Sequence, residues 1–168
     1  MKPQYTKTIN EMLRVMGKNA TFALKLVFAN MWLFKGLVKK LLVKLGADTR
    51  ALVSSTFAFT MMNGGNQTNI IPNHVEANIN VRIAPFDTAD DVVNHIKKVL
   101  KDDSFVITTS NINKMYSECD FSQKGYDIIK DTTIETYPGT VVAPFIMLGG
   151  TDARHYNEIS SCVIRYSP

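Results

Sequence analysis

Residues 75–83 read Val-Glu-Ala-Asn-Ile-Asn-Val-Arg-Ile, and this stretch decides the fold. Apolar and polar side chains alternate without a break, which is the period of a β-strand whose two faces meet different surroundings. Such a strand is typical of an antiparallel sheet that is covered on one side only. The sequence therefore predicts a sheet with one face on a helix layer. The other face, which carries Arg82, is left open to another surface.

The flanking segments predict neighbours for this strand. Residues 52–62 are rich in Thr, Phe and Met and predict a second strand, and residues 63–66 form a turn that tolerates positive φ. Residues 88–100 begin with Thr-Ala-Asp-Asp, which resembles a capping box, and continue with apolar residues at helical spacing. Residues 105–112 predict a further strand.

The N-terminal third is helical and basic. Residues 7–16 predict a short amphipathic helix that Gly17 ends, and residues 20–45 are apolar with a face of lysines. Residues 1–50 carry ten Lys and Arg against two Asp and Glu. The lysine face fits a solvated helix surface or a site for acidic lipid or nucleic acid, and the first is favoured because no aromatic residues alternate with the lysines.

The order of these elements predicts an α+β fold. Residues 1–115 fit a ferredoxin-like two-layer unit, an antiparallel sheet with two helices, and residues 116–168 fit an incomplete α/β segment. The expected elements of the second part are a helix that Ser122 caps, a continuously apolar strand over 141–148, a short helix over 152–158 and a last strand over 161–166.

Two further features set expectations about the chain's surroundings. Cys119 and Cys162 have no metal-ligand spacing and are too few for a disulfide framework, so both are expected to be ordinary thiols. The N-terminus shows no secretory signal, and the uncharged run over 26–34 is too short to span a membrane. A cytoplasmic location without membrane binding is the expectation.

A loop near the C-terminus carries the clearest chemical signal. Residues 149–154 read Gly-Gly-Thr-Asp-Ala-Arg and follow the apolar run over 141–148 directly. A buried strand that ends in two glycines and a helix start leaves backbone N–H groups pointing outward, with Arg154 just inside the helix. This arrangement predicts an anion site, most simply for a carboxylate.

Three motifs together resemble a known family. They are Thr-Phe-Ala-Phe-Thr-Met-Met at 56–62, Asn-Ile-Ile-Pro-Asn at 69–73 with Arg82 thirteen residues after Asn69, and the loop at 149–154. These residues resemble the M-twenty family of zinc-dependent amidohydrolases and exopeptidases, which includes aminoacylase, acetylornithine deacetylase and the Gly-X carboxypeptidases. The segment Phe-Ala-Asn-Met-Trp-Leu-Phe-Lys at 28–35 is similar to the carboxypeptidase branch.

The resemblance implies a fold and a set of site residues. Such enzymes have a catalytic domain with two zinc ions and an inserted lid, or dimerisation, domain with a four-stranded sheet and two helices. Residues 1–115 would be most of the lid, and residues 116–168 would return into the catalytic domain. The implied substrate-binding residues are Asn69 near the scissile carbonyl, Arg82 on the lid sheet, and Gly149, Gly150, Thr151 and Arg154 around the free carboxylate.

The zinc ligands of the family have no counterpart in the sequence. None of the three histidines, His74, His95 and His155, is followed by x-Asp, and no Glu-Glu pair occurs. No catalytic or metal-binding residue is therefore assigned, and the chain is expected to be an inactive fragment of a two-zinc enzyme.

By this resemblance the intact enzyme hydrolyses the amide bond next to an amino acid with a free carboxylate, in a peptide or an N-acyl amino acid. The other expected partner is a second copy bound through the lid sheet, and nucleic acid and membrane are not expected. Two alternatives stay open: a non-catalytic dimerisation or interaction module, and a basic amphipathic surface-binding domain.

Overall fold

The computed structural model describes residues 1–112, 118–121 and 124–167. Helices and an antiparallel sheet occur together, which confirms the α+β class. The elements are α1 (Lys7–Lys18), α2 (Phe22–Ala29), α3 (Met31–Leu45), α4 (Ala47–Ala51), β1 (Thr56–Gly64), β2 (Val75–Arg82), α5 (Ala89–Leu100), α6 (Lys124–Thr136) and α7 (Ala153–Tyr156).

The alternating stretch forms strand β2, as the sequence predicts, and pairs with β1 in an antiparallel hairpin. The register runs from Thr56 opposite Arg82 to Gly64 opposite Val75, with an irregularity between Phe59 and Met61. The apolar face of β2 is half-buried at its C-terminal end and exposed at its N-terminal end. At this end of the hairpin, the ring of Phe57 on β1 lies 5.8 Å from the ring of His95 on α5.

The core lies between the N-terminal helices and the segment before β1. Ile9 and Val53 have no exposed surface, and the remaining buried members are Met12, Leu13, Val38 and Leu52. Ile146 and Leu148 pack against the same cluster. Burial of their apolar surface holds the C-terminal segment on the N-terminal core and so fixes where the 149–154 loop begins.

Helix α1 begins at a capped position and continues further than predicted. The Thr6 hydroxyl accepts a hydrogen bond from the backbone N–H of Ile9 at 3.1 Å. Gly17 does not end the helix but lies within it. A Cβ at this position would collide with the side chain of Phe28. The glycine therefore allows α2 to approach α1 closely.

Helix α5 matches its prediction. The Thr88 hydroxyl accepts from the backbone N–H of Asp91 at 3.1 Å, and the Asp91 carboxylate accepts from the backbone N–H of Thr88 at 2.9 Å. These reciprocal bonds make a capping box. The helix ends at Lys101, whose φ of 54° is left-handed.

Three predicted strands are wrong. Residues 105–112, 141–148 and 161–166 are described, but none forms a strand, so the sheet in the described part of the chain has two strands rather than four. A segment with strand propensity forms a strand only when a neighbouring strand pairs with its backbone N–H and C=O groups. These three segments are not paired with either strand of the hairpin. The predicted division after residue 115 and the predicted cap at Ser122 lie outside the described residues.

The expectation of two free thiols is also wrong. Cys119 and Cys162 form a disulfide across 43 residues of sequence, with their Cα atoms 4.4 Å apart. The spacing of two cysteines in sequence does not reveal a pair that only the return of the C-terminal segment brings together. Among the described residues, no helix combines the length and the hydropathy that crossing a bilayer requires.

Candidate functional site

The 149–154 loop leads into the short helix α7. Asp152 occupies the N-cap position of α7 without a capping hydrogen bond from its side chain. The Thr151 hydroxyl instead accepts from the backbone N–H of Ala153 at 3.3 Å, and the Thr151 carbonyl accepts from that of Arg154 at 3.2 Å. Thr151 therefore organises the loop.

The two glycines of the loop are exposed. A Cβ added at Gly149 or Gly150 would meet nothing within 4 Å, so neither glycine is needed to make room for a neighbouring protein atom. Within the described part of the chain, the backbone N–H groups of Gly149, Gly150 and Thr151 donate no hydrogen bond to protein. A ligand role for these N–H groups stays a prediction.

Arg82 reaches this loop from the hairpin. It is the last residue of β2, and its Nη1 donates to the carbonyl oxygen of Leu148 across 66 residues of sequence. Leu148 packs on the core and immediately precedes Gly149. The structure therefore places Arg82, which the resemblance assigns to the lid sheet, beside the residue that precedes the 149–154 loop.

Asn69 is not joined to this group. It lies in the exposed connection between β1 and β2, and none of the hydrogen bonds among the described residues links it to the 149–154 loop. The role that the resemblance implies for Asn69 stays a prediction.

Arg165 is a site residue that the sequence interpretation missed. Its Nη1 donates to the Thr151 hydroxyl at 3.1 Å and lies 3.4 Å from the carbonyl oxygen of Gly149. The only local signal was an arginine three residues after Cys162. Neither residue stands out in the sequence alone, because nothing there shows that the segment returns to the loop.

Arg82, Arg154 and Arg165 supply three positive charges at the site, and Asp152 in the same loop supplies one negative charge. Arg82 and Arg165 donate to neutral oxygens, and Nε of Arg154 lies 3.3 Å from Nε2 of His155. The ion pair found among the described residues joins Arg14 to Glu11 on α1. Three guanidinium groups against one carboxylate, beside free backbone N–H donors, favour an anionic ligand.

The described residues do not fit a zinc site. They contain no group of three or more His, Cys, Asp and Glu side chains that could hold a metal ion, whereas zinc requires three or four converging ligands. His95 lies 3.1 Å from the N-terminal amine and faces the ring of Phe57, while His155 lies beside Arg154. The histidines are therefore dispersed.

Comparison with known proteins gives consistent matches. A family model described as the peptidase dimerisation domain matches residues 9–106. The chain is 33% identical over 155 residues to the probable carboxypeptidase S-like 2 of Dictyostelium discoideum, which covers 91% of this chain and 30% of that protein. No solved structure gives a significant match.

Other relatives carry a different name. The chain is 28% identical over 159 residues to the N-fatty-acyl-amino acid synthase/hydrolase of Xenopus tropicalis, covering 94% of this chain and 31% of the relative. It is 30% identical over 163 residues to that of Mus musculus, covering 95% and 32%. The chain spans about a third of the length of these relatives. From these matches, the chain belongs to the M-twenty peptidase family, and residues 9–106 correspond to its dimerisation domain.

Proposed function

We propose that this chain holds the free carboxylate of a peptide or N-acyl amino acid in an M-twenty hydrolase, whose substrate is cleaved at the neighbouring amide bond. The names of its relatives, a carboxypeptidase and an N-fatty-acyl-amino acid synthase/hydrolase, both refer to compounds with a free carboxylate. The proposal extends this shared chemistry to the present chain.

The contact from Arg82 to the Leu148 carbonyl carries the proposal. It places a guanidinium from the hairpin beside the loop that contains Arg154 and the free N–H groups of Gly149 and Gly150. A guanidinium presents paired N–H donors that match the two oxygens of a carboxylate. Donors from two distant segments would fix both the position and the direction of the substrate.

These residues bind and orient the substrate and do not break its bond. The described residues do not offer a site for the two zinc ions that the resemblance implies, so no hydrolytic step is assigned to them. We expect no turnover of N-acyl amino acids by this chain alone in an assay with added zinc.

The test compares two probes that differ only in charge. The purified chain is titrated with N-acetylglycine and with the neutral N-acetylglycinamide, and binding is followed by NMR. We expect the acid to bind more tightly, and we expect Arg82→Ala to weaken that binding about tenfold, since a hydrogen bond to a charged group is lost.

Arg50→Ala is the matched control, because Arg50 is an exposed arginine on α4, outside the site. It should leave the affinity unchanged. Equal binding of the acid and the amide would contradict the carboxylate proposal.

A second function, dimerisation, is favoured by the hairpin. Each of its strands has an outer edge that no other strand in the described part of the chain covers, and unpaired edges offer backbone groups to another strand. The match to a peptidase dimerisation domain includes both strands. We therefore propose that two copies associate through the hairpin.

A further inference from the structure

We propose that Arg165 is a third guanidinium of the substrate-carboxylate site, and that the Cys119–Cys162 disulfide holds it there. This inference rests on the proposed function. It adds a residue that none of the family motifs in this sequence includes, since Arg165 lies eleven residues beyond Arg154 and outside the Gly-Gly-Thr-Asp-Ala-Arg loop.

Arg165 contacts the loop on both sides of Gly150. Its Nη1 bonds to the Thr151 hydroxyl at 3.1 Å and lies 3.4 Å from the Gly149 carbonyl, the two oxygens that flank Gly150. Within the described part of the chain, Nε and Nη2 of Arg165 make no hydrogen bond. Because a guanidinium has five N–H donors, most of them are left for a ligand.

Three arginines from separate segments meet around one short stretch. Arg82 donates to the carbonyl of Leu148 and Arg165 approaches that of Gly149, while Arg154 follows in the same loop. No ion pair among the described residues includes any of the three. With Asp152 as the one carboxylate of the loop, the three guanidinium groups leave an excess of positive charge, which makes anion binding more favourable than at a single arginine.

A continuous path connects Arg165 to the core. Cys162, three residues before Arg165, is bonded to Cys119, and the neighbouring Glu118 accepts hydrogen bonds from the backbone N–H of Thr8 at 2.9 Å and from its hydroxyl at 2.6 Å. Thr8 lies in the first turn of α1, next to the fully buried Ile9. The Glu118 carboxylate thus lies at a helix N-terminus, where a negative charge is stabilised.

This path has a physical consequence for the site. An exposed arginine on an untethered segment loses much side-chain and backbone entropy when it binds a ligand. The disulfide and the Glu118 contacts restrict the segment before the ligand arrives. Arg165 is therefore a preorganised donor rather than a mobile surface charge.

The test uses the same full chain with N-acetylglycine as the probe and N-acetylglycinamide as the neutral control. We expect the Nε–Hε NMR signal of Arg165 to shift with the acid and to stay unchanged with the amide. Arg165→Gln should weaken binding of the acid about tenfold. Arg165→Lys should have an intermediate effect, because it keeps the charge but loses the planar pair of donors.

Arg50→Gln is the matched control for the loss of one positive charge, and it should bind like the original chain. The double variant Cys119→Ser with Cys162→Ser should weaken binding several-fold while Arg165 itself is retained. Unchanged affinity in that double variant would overturn the role of the disulfide.

The outcomes separate this inference from the proposed function. If the original chain binds the acid no better than the amide, the proposed function itself fails. If it binds the acid and Arg165→Gln binds equally well, only the role of Arg165 is overturned. Should Arg165→Gln not fold, the original chain decides: an Arg165 signal that does not move at saturating N-acetylglycine overturns the inference.

Discussion

Thr151 is the residue on which the contacts of the candidate site converge. Its hydroxyl accepts from the backbone of Ala153 and from the side chain of Arg165, and its carbonyl accepts from the backbone of Arg154. The Thr151 hydroxyl thereby accepts a hydrogen bond from the backbone at the start of α7, and it also positions Arg165, which is distant in sequence. The resemblance implies a substrate contact for Thr151, and these contacts add a structural role within the loop.

At the same scale, Thr88 gives a quantitative prediction. Thr88→Ala removes the hydroxyl that accepts from the Asp91 backbone and should lower the free energy of unfolding by about 1 kcal/mol. Denaturant unfolding followed by circular dichroism measures this difference. Thr108→Ala, at an exposed position outside any helix or strand, is the control and should change the free energy by less than about 0.5 kcal/mol.

The same cap predicts a dependence on pH. The Thr88 side chain, and then its backbone N–H, lower the pKa of Asp91 below its ordinary value of 3.8 by hydrogen bonds to the carboxylate. A lowered folded-state pKa means that the stabilisation is present above pH 3.8 and is lost as the pH falls below it. Asp91→Asn should remove this part of the acid dependence, and an unchanged acid profile would contradict the assignment.

At the scale of elements, the disulfide ties the segment of Arg165 to the rest of the chain. Because it closes a loop of 43 residues, the double variant Cys119→Ser with Cys162→Ser should be less stable by about 4 kcal/mol in the chain-entropy estimate. Denaturant unfolding gives the free energy, and a thiol assay on the unfolded original chain should detect no free thiol. One result would contradict this: two reactive thiols in a chain purified without reductant.

A reductant provides the matched comparison. It should destabilise the original chain and leave the double serine variant unchanged. The disulfide also bears on cell biology, since such bonds persist mainly in oxidising compartments. The cytoplasmic location expected from the N-terminal sequence stays a prediction.

Helices α1 and α5 illustrate which elements could be predicted from sequence. Each has a threonine cap and apolar residues at helical spacing, so the information that forms it lies within the element itself. The segments over 105–112 and 141–148 lack this property. They have strand composition but need a partner strand, and the structure gives them none along the hairpin.

At the scale of the whole molecule, the hairpin predicts association between copies. Sedimentation velocity over a range of concentrations should show a dimer that dissociates on dilution. Phe59→Lys on β1, where the side chain is 69% exposed, should weaken the dimer about tenfold, because edge lysines oppose strand pairing and the two copies repel each other.

Ile159→Lys is the control, since this side chain is 83% exposed and lies outside the hairpin. It should leave the association unchanged. A chain that stays monomeric at every concentration would rule out the hairpin as a self-association surface.

The sequence by itself determined the parts of this protein whose interactions are local. The alternation over 75–83 specified β2, the apolar spacing specified α1, the capping box specified the start of α5, and the motifs around Asn69, Arg82 and 149–154 identified the family. These signals reside in residues that are neighbours along the chain or in motifs read directly from it. The hydrogen bonds that form these helices and this strand join residues a few positions apart or within one hairpin.

Only the tertiary structure decided the contacts that join distant segments. It brought Arg82 to Leu148 and Arg165 to Thr151, and it paired Cys119 with Cys162. The physical reason is that each of these contacts depends on the C-terminal segment packing on the N-terminal core. The sequence pattern of a single segment does not predict this packing, because the packing is stabilised by apolar burial summed over the whole chain.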